Sequence, residues 1–353
     1  MKTLIYGAGP LGSLMAARLH EAGHDVALLA RGQRLRDLRR HGVVLEEEGS
    51  EHREIVHVPV VEALDPDDHY DLVMVVMRKN QAEELLPTLA ANERVGTFLF
   101  MMNNAEGPGP LVDALGAERV MLGFPLPGGS REGHVVHIVP VNERATSTLP
   151  IGEVDGRTRP RTREVAALLA SMRGYEVDVR DDMPAWLKYH AAVTILGLSP
   201  AIYASGIDIE RLGRTRDLLV LATRSIKEAF RGLRKDVGIP PAPRSFRLLE
   251  LTPEPVLVAL FAGPMRKGQA RSSLEGHTAA ARDEVVHVGG ELLAELREAG
   301  AEIPSIERML AHWDADEPLY PDGMRGIPLR WGGLVGPAAA LVALGAAVAL
   351  ARR

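Results

Sequence analysis

The chain has 353 residues, more than one hydrophobic core ordinarily organises, so two domains and a short appendage are expected. Its 46% apolar and 25% charged residues exclude a disordered chain, and the lack of cysteine excludes disulfides and thiolate metal sites. A formal charge of -6 gives no electrostatic basis for nucleic acid, and a small molecule is the expected partner.

Only six residues precede Gly7, too short an apolar run for a signal peptide, so the catalytic part is expected in the cytoplasm. Leu4 to Tyr6 reads as a buried strand. Gly7-Ala8-Gly9-Pro10-Leu11-Gly12 follows it, and Leu11, Leu14, Met15 and Leu19 then repeat at helical spacing until Gly23. Val26 to Leu29 resumes as a second strand. This is the order of a βαβ unit whose glycines permit a tight turn and close approach to a pyrophosphate, with the helix amides facing the anion. Gly7, Gly9, Pro10, Leu11 and Gly12 are therefore candidate cofactor residues in a Rossmann-type domain.

The end of the second strand selects between dinucleotides, because an acidic side chain there accepts the ribose hydroxyls of NAD. Here it reads Ala30-Arg31-Gly32-Gln33-Arg34. An arginine can pair with a 2′-phosphate, which favours NADP(H); the alternative is that Arg31 and Arg34 begin a solvated basic helix through Arg40.

Glu46-Glu47-Glu48-Gly49-Ser50 reads as a solvated loop or hairpin tip. Leu72 to Met77 and Val95 to Met102 read as buried parallel strands. Their carboxyl ends carry Arg78-Lys79-Asn80-Gln81 and Asn103-Asn104, so Arg78, Gln81 and Asn103 are candidates for the cofactor by position, with a plain turn as the alternative for the asparagines. Gly123 to Gly133 reads as a loop bordering a cleft, Val135, Val136 and Ile138 as edge strands, and Val177 to Val179 as a last strand.

Beyond Asp181-Asp182 the period becomes helical. Leu219, Ala222, Ile226, Phe230 and Leu233 mark one helix ending near Gly238, and Val285, Val288, Leu292, Leu293 and Leu296 mark another ending near Gly300. The expected divisions are 1–181, a dinucleotide-binding α/β domain; 182–320, an all-α domain; and 321–353, an apolar tail. Residues 331–351 carry no charge and are long enough to span a membrane, or equally to pack on the protein or on a second copy in a homodimer. No His/Asp cluster with metal-ligand spacing is evident.

Several segments together resemble ketopantoate reductases, the 2-dehydropantoate 2-reductase family: MKTLIYGAGPLG at the start, LLARG at the second strand end, VMRKNQ, MMNN, WLK at Trp186 to Lys188, and Arg271-Ser272-Ser273 followed by Arg282-Asp283-Glu284. The resemblance runs in order over residues 1 to about 310. It implies a Rossmann domain that binds NADPH, a helical second domain, and reduction of a 2-oxo acid. It places the catalytic lysine on Lys188, a cofactor-side asparagine on Asn103, and substrate contacts on Asn103, Ser273 and, across a one-residue gap, Glu284. The sequence departs from the family where a lysine becomes Arg78 and where two asparagines after the catalytic lysine become Ala192 and Leu196. His190 lies on a different helix face and does not replace them.

Ketone reduction needs a hydride from the nicotinamide and a proton or positive charge at the carbonyl oxygen, and an enclosed lysine beside Trp186 suits that task. Without the resemblance Lys188 would read as a surface helix lysine, Glu284 as one of many helix glutamates, and His190 as a packed residue. The expected function is NADPH-dependent reduction of a 2-oxo acid or related ketone. A non-catalytic NADP(H)-binding sensor or scaffold and an opine- or imine-type dehydrogenase are the alternatives.

Overall fold

The computed structural model describes residues 1–142, 145–268 and 271–331. The apolar stretch from 332 onward, and with it nearly all of the expected 331–351 span, lies outside those residues, as do the side chains of Ser272, Ser273 and His277. Packing divides the chain into two compact units between Pro184 and Ala185.

The first unit is an α/β domain. Its strands are β1 (Thr3–Tyr6), β2 (Val26–Leu29), β3 (Val43–Glu47), β4 (Arg53–Val56), β5 (Val60–Val61), β6 (Tyr70–Val75), β7 (Val95–Met101), β8 (Val120–Gly123), β9 (Gly129–Glu132), β10 (Val135–Ile138), β11 (Ser147–Glu153) and β12 (Tyr175–Val179). Eight of them form one sheet in the order β12-β11-β8-β7-β6-β1-β2-β5. From β8 to β5 every pairing is parallel, whereas β11 runs antiparallel to β8. The central strands β1, β6 and β7 are apolar on both faces because helices cover them, with a second strand layer beyond one helix, as a parallel sheet requires.

That second layer is a four-stranded sheet, β4-β3-β10-β9. Glu48 to His52 form the tip of the β3–β4 hairpin, as the acidic and glycine residues there suggest. The sheet corrects two expectations. Val135 to Ile138 is an inner strand, because β3 pairs with it in parallel while β9 pairs on its other side. The segment after Gly123 is loop only as far as Gly128, since Gly129–Glu132 forms β9 through backbone pairing despite its polar sequence.

Helix α1 (Pro10–Glu21) packs on both sheets, which is why it is buried almost all round and only weakly amphipathic. Even Arg18 is 1% exposed; its guanidinium pairs with Glu21 at 2.8 Å and Glu54 at 2.9 Å, so the charge does not go uncompensated.

The second unit is helical. Its central element, Arg216–Gly232, buries Leu218, Leu219, Val220, Leu221, Ala222, Ala229 and Phe230, and continues through a π-helix, Leu233–Val237, to a left-handed Gly238. The expected second stripe forms the helix Arg282–Glu298, and Gly300 follows with φ +72°. Among the described residues no helix is long and apolar enough to cross a membrane.

After Trp313 the described chain has no further helix or strand, so its backbone groups need other partners. Buried carboxylates supply them. Asp217 accepts from the amides of Gly326 at 2.6 Å and Ile327 at 3.0 Å, and Glu254 accepts from Arg330 N at 2.9 Å while holding Arg224 in a fork of 2.8 and 3.0 Å. Burial alone would raise the Glu254 carboxyl, but Arg224 and the Arg330 amide outweigh it and hold the group below its ordinary value. A depressed folded-state pKa contributes stability that is present above the unfolded pKa and lost as pH falls below it. Glu254→Gln is expected to lower unfolding stability by about 3 kcal/mol, because it strands Arg224. Urea melts should show this deficit at pH 7 and a smaller one near pH 3; equal deficits at both pH values would contradict the charge-based account.

Candidate functional site

The parallel register brings four strand ends together in the first unit. Tyr6 of β1 lies level with Leu29 of β2 and Val75 of β6, and Val75 lies level with Phe100 of β7. The residues just beyond these strands, Gly7, Arg31, Arg78 and Asn103, therefore share the carboxyl edge of the sheet, where ligands of open parallel sheets bind.

The glycines of the turn do different things. Gly7 has φ +124°, and a Cβ there would come 2.3 Å from Val76 O; a Cβ on Gly12 would come 1.9 Å from Gly7 O. These two positions are closed by the protein itself. At Gly9 a Cβ would meet nothing within 4 Å. Gly9 is also the N-cap of α1, with no side-chain cap and no acid in the first turn, and Pro10 at the helix start has no N–H. The amides of Leu11 and Gly12 are therefore the donors that the helix start presents, together with its positive dipole end. The open space at Gly9 fits the pyrophosphate of a dinucleotide.

At the end of β2, Arg31 is exposed and donates to Tyr6 Oη at 2.5 Å, with its guanidinium over the Tyr6 ring at 5.7 Å. Arg34 differs. Its guanidinium is buried and donates to Ala8 O (3.1 Å), His134 O (3.2 Å) and Ser13 Oγ (2.9 Å). Burial, with a contribution from Arg131, pushes its pKa down to about 10. Arg34 thus braces the glycine turn, and the solvated-helix reading fits Arg36, Arg39 and Arg40 but not Arg34.

Arg78 is the N-cap of the short helix Lys79–Glu84, with Gln81 half-buried in its first turn. Lys79, in the same strand-end cluster, is 1% exposed and pairs with Glu83 at 3.0 Å and Glu106 at 3.1 Å. Asn103 is 4% exposed, and its Oδ1 is buried with no hydrogen-bond partner among the described residues. Asn104 accepts the Gly107 amide at 2.9 Å and so shapes the turn. Of the pair, Asn104 shapes the turn, while Asn103 keeps an orphaned buried acceptor of a kind that fits the donor of a bound amide.

In the second unit, Lys188 lies on the helix Met183–Ala191 and is 7% exposed. Its Nζ donates to Glu295 Oε2 at 2.6 Å. Trp186 and His190, one turn apart, stack at 4.9 Å between ring centroids and 9° between planes, consistent with a packed rather than a proton-transferring histidine. After Ala191 the helix becomes a π-helix, Ala192–Leu198, where Ala192 and Leu196 are buried. Glu284 is 2% exposed in the first turn of Arg282–Glu298, eleven residues before Glu295 on the same helix, hence about 16 Å along its axis at 1.5 Å per residue. Lys188 is thus paired with Glu295 rather than with Glu284. Ser273 falls in the π-helix Ser272–Gly276, and its side chain is outside the described atoms.

A parallel-sheet domain with a glycine turn at its carboxyl edge, followed in the chain by a helical unit, defines a Rossmann-type α/β class of protein. Residues 3–150 match the family Ketopantoate reductase PanE/ApbA. A 2-dehydropantoate 2-reductase of Mesorhizobium japonicum is 25% identical over 269 residues, covering 68% of this chain and 79% of the relative. Among solved structures, 2-dehydropantoate 2-reductase from Geobacter metallireducens GS-15 matches with TM-score 0.69 and 18% identity, covering 89% of this chain and 99% of the other. D-mandelate dehydrogenase in ternary complex with NADH and anilino(oxo)acetate matches with TM-score 0.68 and 14% identity, covering 89% and 97%. Over residues 3–150 the chain thus matches the ketopantoate reductase family, and its fold is that of solved 2-dehydropantoate 2-reductases.

Proposed function

We propose that this protein reduces a 2-oxo acid to the 2-hydroxy acid with NADPH. The observation that carries this reading is the pairing, in the first unit, of an open cradle at Gly9 with the unpartnered acceptor of Asn103. The first suits the pyrophosphate that links the two halves of a nicotinamide dinucleotide, and the second suits an N–H of the carboxamide at its nicotinamide end. When bound, that cofactor supplies hydride to the carbonyl carbon. Lys188 donates a proton to the carbonyl oxygen, where charge develops.

Arg31 supports NADPH over NADH, because β2 ends without a carboxylate and with an exposed guanidinium steadied by Tyr6. Gly7, Gly9, Pro10, Leu11 and Gly12 hold the pyrophosphate, with Arg78 and Gln81 bordering the same edge. Asn103, Ser273 and Glu284 are the substrate-side candidates. Ala192 and Leu196, apolar and buried, offer no hydrogen bond to a substrate hydroxyl, so the preferred acid differs from one recognised through amides at those positions.

The test is oxidation of NADPH and of NADH against a panel of 2-oxo acids including 2-dehydropantoate and aryl-substituted acids. NADPH should be preferred, and Arg31→Ala should reduce that preference about tenfold or more. Tight binding of NADPH without turnover of any acid would favour a sensor instead. An unchanged preference in Arg31→Ala would remove Arg31 from cofactor selection.

A further inference from the structure

We infer that Glu295 is the positioning residue of the reaction: it aims the ammonium of Lys188 and returns a proton to it after each turnover. This rests on the assignment of Lys188 as proton donor in the proposed function.

The two side chains are unequal partners. Lys188 has a side chain 9% exposed and Glu295 one 30% exposed, and they meet at 2.6 Å. The lysine is therefore nearly cut off from water, while its carboxylate partner reaches it. A long, unbranched lysine side chain has several rotatable bonds, and a single short charge-assisted bond removes much of that freedom in advance of reaction. The helix that carries Glu295 is well fixed for this task. Val285, Val288, Leu292 and Leu296 bury its apolar stripe, and a Cβ at Gly289 would come 2.5 Å from the Trp313 ring, so the helix is in close contact there.

The placement also explains why sequence comparison alone would point elsewhere. Glu284, Glu291 and Glu295 recur at spacings of seven and four, which puts all three on one face of the helix. Lys188 engages the far end of this row, three turns beyond Glu284. The glutamate matched by family resemblance and the glutamate that touches the lysine are different residues of one acidic stripe.

The steps balance. The hydride pair goes from the dihydronicotinamide to the carbonyl carbon, the C=O π pair moves onto oxygen, and oxygen takes the Nζ proton, giving the 2-hydroxy acid and the oxidised cofactor. Lys188 is left as a neutral amine. A proton from solvent, received on the Glu295 carboxylate and passed across the 2.6 Å contact, restores the ammonium.

The test uses the full chain. Glu295→Gln keeps size and hydrogen-bonding capacity but cannot carry a proton as a carboxylate does. It should lower kcat on the order of 10- to 100-fold, leave the KM for the 2-oxo acid within about twofold, and enlarge the solvent deuterium isotope effect on kcat. Glu295→Asp should recover a large part of the loss, and both variants should bind NADPH as the unaltered protein does. A merely structural pair would move the melting temperature without enlarging the isotope effect, and that result overturns the assignment. So does a Gln variant with full kcat while Lys188→Ala is inactive. If Lys188→Ala itself keeps full turnover, the proton-donor reading fails first and this assignment falls with it.

Discussion

Gly9→Ala should bind NADPH about 10- to 100-fold more weakly while folding like the unaltered protein. The added methyl group meets no protein atom within 4 Å, so any effect on binding reports what occupies that space. Forcing one methyl into a filled site costs about 1–3 kcal/mol, and each 1.4 kcal/mol is about a decade in affinity. Gly12→Ala is the internal control. Its Cβ would sit 1.9 Å from Gly7 O and 3.3 Å from Ile5, so it must push the turn open and should lower the melting temperature as well as abolish binding. Fluorescence titration with NADPH beside a thermal melt separates the two effects. Wild-type affinity in Gly9→Ala would sink the placement of the pyrophosphate at this turn.

The first unit was largely legible because its signals are local. A four-residue apolar strand, a glycine turn and a helix of known period specify a βαβ unit within thirty residues, and β2 falls where Val26 to Leu29 predicts it. The small second sheet was legible only in part: Val135 to Ile138 read as strand, but β9 is made of Gly-Ser-Arg-Glu and is defined by its pairing with β10, not by an apolar pattern. The role of Arg34 was hidden for a related reason. On a helix of four arginines nothing local marks the one that turns inward, and the carbonyls of Ala8 and His134 and the hydroxyl of Ser13, all far away in sequence, single it out. In the second unit the apolar stripes placed the helices, but the partner of Lys188 lies 107 residues away, one glutamate among three on the same face. Long-range ion pairs leave no periodicity in a single sequence. Likewise the π-helix over Ala192–Leu198 alters which positions share a face after Lys188, so spacing counted as an α-helix does not carry across it.

The last expectation concerns what Lys188 contributes, charge or proton. Lys188→Ala should lower kcat by about 10²- to 10⁴-fold, the range for loss of a general acid, and should leave NADPH binding intact because the cradle at Gly9 is in the other unit. Lys188→Arg then divides the explanations. A guanidinium keeps the positive charge and the bond to Glu295, yet it does not give up a proton near neutral pH. If stabilising negative charge at the carbonyl oxygen is sufficient, the arginine variant recovers much of the lost rate. If the proton itself must come from this side chain, arginine is nearly as inactive as alanine, and single-turnover measurements with 4-deuterated NADPH show a slow chemical step in both. The second outcome is expected, because Glu295 already offsets the lysine's charge at 2.6 Å and weakens its purely electrostatic pull on a third group. Recovery in the arginine variant would retain Lys188 as an electrostatic anchor and withdraw its role as acid.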